Sequence, residues 1–105
     1  MSLSSPAAVM VRLEEIEADL AERQNELETA AFDWFKCKRE RERTEAMEFM
    51  RAEGPVESRR QQARRIAAAI GAEEEGRWEG MRAVVRVLET RAMVGTAILK
   101  SMGRS

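Results

Sequence analysis

Few side chains in this sequence can do acid–base or covalent chemistry. The 105 residues include no His and no Tyr, one Cys (Cys37), and only two Asp, Asp19 and Asp33. Both aspartates lie inside a stretch that reads as helix, and without histidine the usual general base and the commonest metal ligand are missing. Glu15, Asp19, Glu22 and Glu26 recur at helical spacing and could hold a divalent metal inside a bundle. A solvated acidic helix face explains them more simply. There is no glycine-rich phosphate loop and no nucleophile elbow. The expectation is a protein without catalytic residues, metal or cofactor. A lone cysteine excludes an intrachain disulfide framework and suits a reducing compartment, with Cys37 read as a small core filler.

The charged side chains are more informative. They form 35% of the chain yet cancel to a net charge of −1, which argues against a disordered polyelectrolyte. Their distribution is uneven. Residues 1–35 hold eight acids and two bases, whereas residues 36–65 hold ten bases and six acids. Lys38, Arg39, Arg41, Arg43, Arg59, Arg60, Arg64 and Arg65 form a candidate phosphate-contacting set, with binding that strengthens at low salt. No aromatic lies within either basic run, 38–43 or 59–65, to stack a base. The competing explanation is intrahelical pairing on a solvated face, through Lys36 with Glu40, Lys38 with Glu42 and Arg41 with Glu45, and the interleaved acids favour it.

These side chains need elements to position them, and the composition is that of helix: Ala, Glu, Arg, Leu and Met dominate. Residues 1–5 are expected to be disordered, with Ser5 capping a helix that starts at Pro6. No Pro or Gly follows until Gly54, so the helix should span residues 6–53. Gly54-Pro55 stops it. A second helix over residues 55–102 then begins with Pro55 and Glu57 in its first turn, or slightly later on a Ser58/Gln61 capping box, leaving residues 103–105 as a tail. Gly71, Gly76 and Gly80 each cost ~1 kcal/mol in a helix, and Gly71 followed by Glu73-Glu74-Glu75 could be a stop and a new acidic start. A break near 71–76 would make three helices. The equal lengths of the two arms favour a kinked or continuous second helix.

The fold expected is all-α: a long antiparallel helical hairpin of coiled-coil type, in which facing residue numbers sum to about 108. Trp78, Met81, Val85, Leu88, Ala92, Gly95, Leu99 and Met102 follow alternating steps of three and four, as do Val9, Leu13, Ile16, Leu20, Leu27, Ala30 and Trp34 with Arg23 inserted. The register sets Gly95 beside Leu13 and Trp78 beside Ala30 and Ala31, so large residues meet small ones. Ala63, Ile66, Ala67, Ala68, Ala69 and Ile70 form a small-residue patch suited to an oligomer seam, a docking site or ordinary packing. Val84, Val87, Val94 and Ile98 lie off the seam as a second apolar stripe, which dimerisation into a four-helix bundle would cover. Phe32, Trp34 and Phe35 span more than one helix face, so at least one should be exposed as a contact for another chain. No leader-like or membrane-spanning stretch is read, and a cytoplasmic protein is expected.

Phe32-Asp33-Trp34-Phe35, the arginine-rich run into Met50-Arg51-Ala52-Glu53-Gly54, then Val56-Glu57-Ser58-Arg59, Ala83-Val84-Val85-Arg86-Val87-Leu88, Gly95 and Ile98-Leu99-Lys100 form a pattern. It resembles small helical bacteriophage proteins, particularly of phages infecting actinobacteria, from about Leu20 to Gly103, and departs from them at Pro55. The resemblance implies an accessory role near phage replication or recombination, in the host cytoplasm, and supplies no catalytic residues. Three functions follow as expectations: an oligomeric scaffold or adaptor for a protein partner; a weak, nonspecific nucleic-acid-binding factor using the arginines around the turn; or an inhibitor of a host protein whose acidic arm, with Glu14, Glu15, Glu17 and Asp19, imitates nucleic acid.

Overall fold

The computed structural model describes residues 5–103. Within them the chain is all-α, with three helices: α1 at Pro6–Arg51, α2 at Val56–Ala67 and α3 at Ala72–Gly103. The expectations for residues 1–4 and 104–105 fall outside the described residues. Ser5 does act as a cap: its Oγ accepts from the Ala8 amide at 3.4 Å and its carbonyl from the Val9 amide at 3.0 Å.

The length of α1 follows from 46 residues without Gly or an internal Pro. It ends two residues before the expected point, and Gly54 carries the reversal at φ +107° with open space around its Cα. Pro55, extended at φ −60° and ψ 149°, precedes α2 and accepts the Arg59 amide at 3.0 Å. The Ser58/Gln61 start is therefore not used.

The second arm is not one helix. It breaks at residues 68–71, where Ile70 N–H donates to the Ala67 carbonyl at 3.0 Å and the Gly71 carbonyl accepts the Glu75 amide at 2.9 Å. Gly71 has φ +75°, and a Cβ on it would stand 2.6 Å from Cys37 Cβ and 3.2 Å from the Trp34 ring. Only glycine permits both the left-handed backbone and that approach to α1. The triad Glu73-Glu74-Glu75 then fills the first turn of α3, where the helix dipole favours acids. Equal arm lengths are no argument against this break, since a four-residue turn occupies nearly the same sequence as one helical turn.

The contacts sort into two compact units, one of residues 1–28 with 80–105 and one of residues 29–79. In the first, Val9, Ile16, Val85 and Leu88 are buried. Gly95 faces Leu13, whose Cδ1 would lie 3.2 Å from an added Cβ. The contacts run antiparallel, because Asp19 and Arg23, later on α1, share a groove with Met81 to Arg91, earlier on α3. In the second unit Ala30, Trp34, Ala63 and Ala67 are buried, Ala63 wholly so. The small-residue patch is thus used for intrachain packing at Ala63 and Ala67, while Ile66 stays exposed. Gly76 and Gly80 lie inside α3 with nothing close enough to require them.

Gly71→Ala should therefore cost ~3 kcal/mol or more, combining left-handed strain with overpacking against Cys37. Gly54→Ala should cost only the strain, ~1–2 kcal/mol. Urea unfolding followed by circular dichroism checks the order; equal losses would show that the approach at Gly71 is not what demands glycine.

Candidate interaction site

Trp34 is the hub of the second unit. It is 4% exposed, its ring centroid lies 6.4 Å from that of Trp78, and the Arg41 guanidinium carbon sits 4.8 Å over its face. Phe35 meets Trp78 edge-on at 5.4 Å. Trp34 is thus a core residue and no interface aromatic. Of the three aromatics proposed as contacts, Phe32 is 68% exposed and Phe35 43%. Trp78 reaches one turn beyond Ala30 because helical side chains lean toward their own N-terminus, which carries its ring along the antiparallel α1 to Trp34 and Phe35.

Two of the eight basic residues are turned to structural use. Arg41 Nε donates to the Ile70 carbonyl at 2.8 Å in the turn that ends α2, and its Nη1 lies 3.4 Å from Glu75 in the first turn of α3. Arg59 Nη2 donates to the Phe49 carbonyl at 3.1 Å in the last turn of α1, and the guanidinium lies 4.4 Å over the Phe49 ring. Its Nε is enclosed without a hydrogen-bond partner. Both guanidiniums satisfy carbonyls that a helix end leaves open. Both are half-buried and engaged within the chain, which sets them apart from the exposed Lys38, Arg39, Arg43 and Arg65 of the same candidate set.

The rest lie outside. Arg60 pairs with Glu57 at 3.1 Å and Arg64 with Glu45 on α1 at 3.4 Å. Lys38, Arg39, Arg43 and Arg65 are exposed. The pairs expected within α1 do not form: Arg41 turns to Glu75 and Glu45 to Arg64, each across to another helix. Such exposed pairs contribute ~0–1 kcal/mol.

In the first unit Arg23 occupies the seam position that looked like an intruder. Its Nη1 lies 2.9 Å from Glu26 and its Nε 3.3 Å from Asp19, and these acids, Glu26 first by hydrogen bond and charge, raise its pKa above the ordinary arginine value. Beside it runs a groove of about 600 Å³ walled by Asp19 and Arg23 on α1 and by Met81, Val84, Val87 and Arg91 on α3. The stripe residues Val84, Val87, Val94 and Ile98 are all exposed. Sequence spacing found the stripe but missed the groove, because it treated the charged flank of α1 as solvent-facing.

Cys37 is half-buried against Gly71, and desolvation first, then the charge and hydrogen bond of Glu74, push its thiol pKa upward. This opposes thiolate chemistry. No helix among the described residues is long and apolar enough to cross a membrane. Comparison with protein-family models, curated proteins and solved structures finds no match to this chain.

Arg41→Met removes the carbonyl hydrogen bond, the ion pair and the guanidinium over Trp34; it should cost ~1.5–3 kcal/mol, against ~0.5 kcal/mol or less for the exposed Arg43→Met. Urea midpoints compare them, and equal values would refute the capping role. For Cys37, iodoacetamide labelling at fixed pH should be slower than that of an unstructured thiol and should quicken in Glu74→Gln, which lowers the raised thiol pKa; an unchanged rate would remove Glu74 as a cause.

Proposed function

We propose that this chain is a non-enzymatic helical adaptor: a long helical hairpin that self-associates as a four-helix dimer and presents further exposed apolar side chains, Phe32 foremost, to a protein partner. The observation that carries this reading is the set of apolar side chains left to solvent: Phe32 is 68% exposed, and Val84, Val87, Val94 and Ile98 on α3 are all exposed.

The buried apolar set supports the same reading. Among the described residues it comprises eight side chains, three of them alanine, and no large one is wholly enclosed. A lone domain of this size is poorly stabilised by such a core, and association is the usual remedy. The phage-like pattern of residues adds the setting, an accessory role beside replication or recombination in the host cytoplasm. The nucleic-acid reading is weaker, since Arg41 and Arg59 are committed to helix ends.

Sedimentation equilibrium should show a concentration-dependent dimer. Affinity purification from infected cells should recover a phage or host protein that Phe32→Ser loses. A strict monomer at high concentration that captures nothing would overturn the reading.

A further inference from the structure

The outer side of α1 in the second unit carries an unused seam. Phe32, Lys36, Arg39, Arg43, Ala46 and Met50 follow alternating steps of four and three, and all six are exposed. Each stands two residues, about 200° of helical turn, beyond a member of the inward row Ala30, Trp34, Cys37, Arg41, Thr44 and Glu48, which is buried or half-buried. The outer row therefore lies on the face opposite the contacts with Trp78, Ile70 and Gly71. Its ends are apolar, with Phe32 68% and Met50 77% exposed, and its middle is cationic. Ion pairing singles out that middle. On α1, Arg12, Arg23, Arg41 and Arg51 each pair with an acid. Lys36, Lys38, Arg39 and Arg43 pair with none among the described residues, although Glu40 and Glu42 stand within a turn of them.

We infer that this row docks an acidic helix of a partner protein, with carboxylates opposite Lys36, Arg39 and Arg43 and apolar side chains opposite Phe32 and Met50. The inference rests on the adaptor reading above and specifies the partner's chemistry. Steps of four and three are the spacing that the seam of another helix matches, and the row is long enough, about 27 Å, to take five turns of it. Charge then selects the occupant. The same row of a second copy does not fit, because pairing over the full length, parallel or antiparallel, sets cation against cation. A phosphate backbone leaves Phe32, Ala46 and Met50 without a contact and is repelled by Glu40, which borders the row between Lys36 and Arg43. A lipid surface needs a continuous apolar face, which the cations interrupt. Discrete carboxylates one turn apart meet the three cations and avoid Glu40, while the alkyl stems of Lys36, Arg39 and Arg43 extend the apolar contact between the two ends.

The probe is a synthetic helix of about three heptads with Leu at its outer seam positions and Glu at the central ones, followed by fluorescence anisotropy against the full chain. It should bind, about tenfold or more weakly at high than at low salt. Replacing its central Glu by Gln should weaken it by a similar factor. The chain carrying Lys36→Glu, Arg39→Glu and Arg43→Glu together should lose this helix and bind instead a version with central Lys, an exchange that a misfolded variant would not make. Phe32→Ser should weaken the Glu helix about tenfold with its salt dependence unchanged. Equal affinity for the Glu and Gln helices, or tighter binding to duplex DNA or to phosphatidylserine vesicles, would overturn the inference. So would a wild-type dimer that the triple charge reversal dissociates, which would assign the row to the acidic arm of a second copy. In the affinity purification, a protein that Phe32→Ser loses but the charge-reversed chain keeps would overturn this contact and leave the adaptor reading standing; no helix bound and no protein captured would overturn both.

Discussion

The close approach of Gly71 to α1 is the constraint on which the second unit depends. Helix backbones separated by ordinary side chains stay 8–10 Å apart; here an added Cβ would fall 2.6 Å from that of Cys37. Closing that gap brings the broken end of α2 within reach of Arg41 and lets the start of α3 lie along the same side of α1. Trp34, immediately beside the approach, is then enclosed by Trp78 and roofed by a guanidinium. A bulkier residue at position 71 would lift the turn away, and the carbonyl of Ile70, the acid of Glu75 and the face of Trp34 would each lose the partner they share.

Much of the helical organisation was legible because it depends on periodicity. Each apolar position assigned to the seam, from Val9 to Trp34 and from Trp78 to Met102, is buried or half-buried. The steps of three and four that keep one face inward are written in residue types alone. The break was less legible. Gly71 and the acids after it signal a stop and a start, but glycine at a helix position reads as a tolerable local cost until the neighbour it must clear is known.

The arginines were the least legible. Arg41 and Arg43 differ little in sequence context, yet one bridges two helix ends and the other is solvent-exposed. What separates them is the angle at which each leaves α1, together with open carbonyls 29 and 10 residues away that Arg41 and Arg59 reach. Charge counting assigned both to the same surface because composition records how many cations a segment has and not which way they point. The apolar stripe on α3 was visible for the opposite reason, since β-branched residues at regular spacing carry their direction with them.

The two guanidinium contacts at helix ends also cross over. Arg41, from α1, closes the end of α2, and Arg59, from α2, closes the end of α1. A helix of 12 residues such as α2 is marginal in isolation. Each helix thus holds the latch of the other: unwinding the start of α2 removes the Arg59 that closes α1, and unwinding α1 around Arg41 opens the end of α2. Melting of this region is consequently shared: neither end can open by itself at low cost, and the short helix acquires the cooperativity of the long one.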